Sequence, residues 1–307
     1  MRSRPDILVL GAGGALGEAW MTGVLAGIED ATGFDLRRCE YFVGTSAGAI
    51  IAARLAAGLS PQRPPATGTA IAPPAPSAGE ADGLTSTAIH AARYAGELAL
   101  LASAPFAAAA LDVAARGGAL ARAAVLRSLP RPARTLDSLR REVERTGARF
   151  DGRLRVVTVE RRSGRRAVFG SPHGPKASVG LAVEASCAVP WLFAPVTIDG
   201  HEYVDGGVWS PTNLDAAPAG RDTHVLCLTP TAGVTGSTAL IELVRNVGRS
   251  ALTLETLALR RRGAAVQTVA PDHDAAAAIG AHLMDHRRRE QVLAAGYRQG
   301  LMLGVAR

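Results

Sequence analysis

Tyr41-Phe42-Val43-Gly44-Thr45-Ser46-Ala47-Gly48-Ala49-Ile50-Ile51 is the stretch on which the reading of this chain turns. Tyr41 to Val43 has the composition of a short strand, Gly44 to Gly48 that of a tight turn, and Ala49 to Ala57, rich in Ala and Ile, that of a helix. The turn carries the pattern G-x-S-x-G. A serine held at a sharp strand-to-helix turn needs small neighbours, because the backbone there is crowded, and Gly44, Ala47 and Gly48 meet that need. The following helix points its positive end at an oxygen that must become an alkoxide. In a chain with 34 glycines the same pattern also arises by chance, with Ser46 acting only as a helix cap.

Toward the N-terminus the same unit appears once more: the aliphatic run Ile7 to Leu10, a break at Gly11 to Gly14, and helical composition from Ala15 to Asp30. Two strand-then-helix units in succession argue for a parallel sheet with helices on its faces. The loop Gly11-Ala12-Gly13-Gly14-Ala15-Leu16-Gly17 offers backbone N–H groups with little side-chain cover, suited to a developing negative oxygen. A dinucleotide fingerprint would need its third glycine at position 16, where Leu16 stands. Close packing of strand on helix is the plainer use of these glycines.

Toward the C-terminus, residues 60–84 read as a Pro/Ala-rich linker, with six prolines between Pro61 and Pro76. Residues 85–147 read as a helical insertion, a cap over the sheet or plain packing around it. Its apolar part, Tyr94 to Leu126, is a candidate for an apolar pocket or for core packing. Strands are expected at Leu154–Val159, Ala167–Phe169, Val196–Ile198, Glu202–Val204 and Val225–Leu228. Helices are expected at 177–188, 238–262 and about 275–298. Asp205, followed by Gly206 and Gly207, ends one of the strands with its carboxylate free of steric cover, although Asp-Gly is also a common turn.

The chain has 307 residues, 48% of them apolar, enough for one large α/β core. Aromatics are only 4%, so that core is built from small and aliphatic side chains. The formal charge of +7 is carried by arginine, Lys176 being the lone lysine. The arginines fall in short groups mixed with acids (161–166, 260–262, 287–289), without a recognition motif or aromatic stacking set, so nucleic acid is not an expected partner. Cys39, Cys187 and Cys227 form no C-x-x-C pair, which points to free thiols in a reducing compartment and to no metal site. The apolar N-terminal run is too short for a secretion signal. The longest strongly apolar stretch, Leu98 to Leu111, falls short of the ~20 residues of a membrane span. A cytoplasmic protein is expected, with peripheral membrane contact left open.

The glycine loop, the early G-x-S-x-G and the distant D-G-G, in this order, resemble the patatin-like phospholipase family. Ala185-Ser186-Cys187-Ala188-Val189-Pro190-Trp191-Leu192-Phe193-Ala194-Pro195 is similar to that family's segment before its catalytic aspartate. The resemblance covers most of the chain. It implies a single domain over 1–307 with a three-layer α/β/α fold, a central mostly parallel sheet and a helical insertion. It further implies a serine acyl hydrolase acting on lipid or lysolipid esters through a Ser46–Asp205 dyad. Ala12, Gly13 and Gly14 would form the oxyanion hole and Gly44 and Gly48 the nucleophile elbow, with no metal or organic cofactor. The chain departs from the family loop at Ala12, which stands for a glycine, and at Leu16, which stands for a basic residue. That leaves a second reading, a weak or inactive lipid- or partner-binding member of the same fold. The Ser-Asp-His order of α/β-hydrolases would draw on His224, His273, His282 or His286, but the α/β-hydrolase fold normally has several strands before its elbow and Ser46 follows two.

Overall fold

A computed structural model of the chain describes residues 4–65, 118–233, 239–280 and 283–305. Most of the stretch read as a linker, and the insertion as far as residue 117, lie outside the described residues. The elements in chain order are β1 (Ile7–Leu10), α1 (Gly14–Thr32), β2 (Tyr41–Thr45), α2 (Ala47–Ala56), α3 (Gly118–Ser128) and α4 (Asp137–Arg145). There follow β3 (Leu154–Glu160), β4 (Arg166–Phe169), α5 (Val179–Cys187), β5 (Val196–Ile198) and β6 (His201–Asp205). The C-terminal part holds β7 (His224–Leu228), α6 (Ala239–Arg261), β8 (Ala265–Val269), α7 (His273–Ile279) and α8 (Arg289–Val305).

All eight strands join one sheet in the order β5-β6-β3-β2-β1-β7-β8, with β4 also on β3. Strands β3, β2, β1, β7 and β8 run parallel, whereas β4, β5 and β6 are antiparallel to their partners. Strand β1 shows why helices must cover both faces. Its four residues are all buried, and they alternate between two cores. Leu8 and Leu10 join Leu16, Trp20, Ile51 and Val292 on one side, from α1, α2 and α8. Ile7 and Val9 join Val43, Val225, Leu214 and Leu259 on the other, from the sheet, the 214–219 segment and α6. A strand buried on both faces reads as a continuous apolar run, which is what Ile-Leu-Val-Leu is. The result is the expected α/β/α layering.

Helix α8 lies directly on α1. A Cβ on Gly27 would come within 2.2 Å of Tyr297 O, so the backbones touch, and the indole N–H of buried Trp20 donates to Gln299 at 2.8 Å. Two elements differ from the sequence reading. The helix expected over 275–298 is two helices, parted after Ile279 by Gly280 at φ +66°, an angle that glycine adopts without steric penalty. Strand β8 was not expected at all. Ala265-Val266-Gln267-Thr268-Val269 is a half-polar edge strand with only Val266 and Val269 buried, and so lacks the apolar run that marks the central strands.

Candidate active site

The register of β3 decides what meets at the sheet's edge. Gly44 and Thr45 of β2 pair with Val156 and Val157, and these same residues pair on their other side with Phe169 and Val168 of β4. One residue further, Thr158 still pairs with β4, through Ala167, while its other side meets Asp205 of β6. Parallel β2 and antiparallel β6 therefore run toward each other along one edge of β3. Thr45 and Asp205 face adjacent residues of β3, so Ser46 and Asp205 emerge side by side.

Ser46 stands between β2 and α2 at φ 53°, ψ −121°, a conformation an L-residue rarely adopts. Such angles cost on the order of 1–3 kcal/mol and persist only where the surroundings impose them. The surroundings here are backbone. A Cβ on Gly44 would lie 2.4 Å from Ala49 Cα, and one on Gly48 would lie 1.9 Å from Leu10 O, so neither glycine can be replaced without moving α2 off the sheet. The Ser46 amide donates to Ser186 Oγ at 2.9 Å, and Ser186 in turn donates to Val157 O at 2.7 Å.

Asp205 is buried, at 4% exposure. Its carboxylate accepts a hydrogen bond from the Gly207 amide at 2.7 Å, and the Ser46 side chain lies close enough to favour its charged form. Burial is the largest influence on it and raises its pKa from 3.8 to about 6, against the Ser46 side chain and the Gly207 amide, which favour the charged form. The Cys187 side chain lies near the same pair. Burial, followed by the negative charge of Asp205, pushes its thiol well above the ordinary range, so it stays protonated at neutral pH.

The glycine loop reaches the same place: a Cβ on Gly207 would lie 3.0 Å from Asp205 Oδ1 and 3.6 Å from Ala12 Cβ. Its three expected donors are not equivalent. The Ala12 amide donates to Pro211 O at 2.8 Å, which removes it from the set able to bind an anion. Among the described residues the amides of Gly13 and Gly14, at the start of α1, have no protein acceptor. Leu16, where the family pattern has a basic residue, is fully buried in the core, and its amide donates to Leu283 O at 2.9 Å. Packing and this hydrogen bond hold the start of α1.

The histidines are elsewhere. His224 begins β7 at the far end of the sheet, 3.8 Å from Asp6, and the side chain of His273 is 98% exposed beside Asp274. His286 is exposed, and His282 lies outside the described residues. Among the described residues no cluster of His, Cys, Asp or Glu fits a metal ion. A shallow solvent-open groove runs between α1 and α2, along Glu18, Thr22, Ile51 and Leu55, and neither Ser46 nor Asp205 lines it. No described helix is long and apolar enough to cross a membrane.

Three residues around the site escaped the sequence reading: Ser186, Asn213 and Glu255. Ser186 lies in the segment quoted for the resemblance, and Asn213 follows Ser210-Pro211-Thr212, a turn sequence whose asparagine is a signal for a left-handed residue. Glu255 sits in the middle of α6 with no such signal.

Residues 8–218 match patatin-like phospholipases, a span that includes the glycine loop, Ser46 and Asp205. The chain belongs to that family. No curated protein matches it.

Proposed function

We propose, from membership of the patatin-like phospholipase family, that the chain is a carboxylic ester hydrolase of lipids working through Ser46 and Asp205. The observation that carries the reading is a serine in a strained strand-to-helix turn that emerges beside a buried carboxylate of raised pKa. Asp205 takes the hydroxyl proton as Ser46 Oγ attacks the ester carbonyl carbon. The proton then passes to the departing alcohol, leaving an acyl group on Ser46. Water, deprotonated by Asp205, attacks that acyl carbonyl, and Ser46 recovers its proton as the carboxylic acid leaves. A carboxylate of ordinary pKa is a poor base for a hydroxyl; raising it to about 6 brings it nearer the working range while leaving it ionised at neutral pH. The Gly13 and Gly14 amides, at the positive end of α1, are the donors for the oxyanion.

The lipid or lysolipid ester is the proposed substrate, met by peripheral contact with a membrane surface. The cytoplasm is the proposed compartment, supported by the free thiols of Cys39, Cys187 and Cys227. The test is hydrolysis of p-nitrophenyl esters from short to long acyl chains by the wild type, Ser46→Ala and Asp205→Asn. Activity in the wild type and loss in both variants is expected. A folded wild type that neither turns over nor labels with a fluorophosphonate would move the assignment to a binding member of the fold.

A further inference from the structure

Strands β2 and β6 end beside each other on β3 without pairing to each other. Something must hold the residue before Ser46 and the residue after Asp205 at a fixed separation, and one fully buried side chain reaches both. The Asn213 side-chain amide donates to Thr45 Oγ1 at 3.1 Å and to Gly206 O at 3.2 Å, with Ser210 O a third acceptor at 2.6 Å. Its two N–H groups are shared among these three oxygens.

The amide has one workable orientation. Asn213 Oδ1 accepts from Arg166 Nη1 at 3.3 Å, and Arg166 is itself paired to Asp215, with Nη2 to Oδ2 at 2.8 Å. Turning the amide over would set its NH₂ against a guanidinium and its oxygen against three oxygens. The backbone is equally committed: Asn213 sits at φ 49°, ψ 38°, which Asn tolerates better than most residues. Buried Glu255 accepts from Thr212 Oγ1 at 2.6 Å and from the Leu214 amide at 2.8 Å, fixing the turn on both sides of Asn213.

We infer that Asn213 is a positioning residue that sets the reach of Asp205 to Ser46 by holding Thr45 and Gly206 together. The inference rests on the hydrolase reading. Asn213 touches neither the Ser46 hydroxyl nor the Asp205 carboxylate, so its loss should lower the rate of the chemical step and leave substrate binding alone. A misplacement of ~1 Å can cost about 100-fold in rate.

The test compares Asn213→Gly, which keeps the left-handed backbone and deletes the amide, with Asn213→Asp, which keeps size and turn geometry but replaces the donors by a carboxylate. Turnover of a short p-nitrophenyl ester is divided by the concentration of sites titrated with a fluorophosphonate, so that unfolded protein does not count. Expected are a fall in kcat of ~10- to 100-fold in both, KM within about threefold of wild type, and, in Asn213→Asp, an acid limb of the pH profile displaced upward by the new negative charge. A merely structural role would lower the melting temperature and the number of titratable sites while kcat per site and the acid limb stayed at the wild-type values; that result overturns the inference. Should either variant fail to fold, Thr45→Val removes one acceptor at constant shape. Its kcat per site should fall several-fold, and a wild-type value there likewise overturns the inference. Wild-type protein without turnover or labelling would instead defeat the hydrolase reading itself.

Discussion

Two strand-to-helix turns lie side by side at the same edge of the sheet, β1 to α1 and β2 to α2, since β1 and β2 are parallel neighbours. Each places a residue of positive φ at the helix start: Gly14 at 59° in the first, Ser46 at 53° in the second. Glycine takes that angle freely; serine takes it at a cost of ~1–3 kcal/mol. The first turn therefore presents bare amides, and the second presents a hydroxyl that the fold gives up stability to hold. One supersecondary unit, used twice, supplies both the proposed oxyanion donors and the atom proposed to attack.

Changing the second turn breaks the comparison most severely. Ser46→Ala should reduce ester turnover by ~10³-fold or more and abolish fluorophosphonate labelling, while the melting temperature stays at or above the wild-type value. Asp205→Asn should lose ~10²- to 10⁴-fold in kcat, the range of a general base. The wild-type rate should fall about tenfold per pH unit as Asp205 protonates below about 6, which a kcat/KM profile would show.

Stability should move the opposite way. Because burial raises the Asp205 pKa from 3.8 to about 6, the folded state binds this proton more tightly than the unfolded chain does. The contribution is a loss of stability as pH rises between those two values, amounting to roughly 3 kcal/mol above the upper one. Asp205→Asn should therefore be more stable than wild type by on the order of 1–3 kcal/mol at pH 8, and no more stable at pH 3.5, as read by denaturant melts.

In the first turn, Gly14→Ala keeps the amide but must shift it, since its Cβ would fall 2.9 Å from Met284 Sδ and 3.0 Å from Leu283 O at a positive φ. A fall of ~10- to 100-fold in kcat is expected, with slower fluorophosphonate labelling and KM little changed. Leu16→Arg, which restores the basic residue of the family pattern, sharpens the same point. The side chain it replaces is fully buried, so the variant should lose several kcal/mol of stability and gain no activity. An increase in kcat would mean that the loop lacks the charge after all.

Both turns were legible in the sequence because each is local: an aliphatic run, a cluster of glycines, then helical composition. The layers followed from the same feature, since Ile7 to Leu10 is apolar at every position and such a strand needs cover on both sides. The encounter of Ser46 with Asp205 was reached only by resemblance, because it depends on an antiparallel strand continuing the edge that β2 leaves on β3, which brings together two residues far apart in the chain. For the same reason the capture of the Ala12 amide by Pro211 and the clamp made by Asn213 were invisible. Each joins a turn near the N-terminus to the segment after Asp205. Strand β8 was missed for a different cause: at the sheet's edge it needs only two buried residues, too few to stand out between two helices.

The proposed division of labour between the two turns is tested most directly by quenching the protein during turnover of a slow p-nitrophenyl ester and locating the retained acyl group by peptide mass analysis. An acyl adduct on Ser46 in the wild type, absent from Ser46→Ala, is the predicted result. Steady turnover by Ser46→Ala, or an acyl group on any residue other than Ser46, would contradict it.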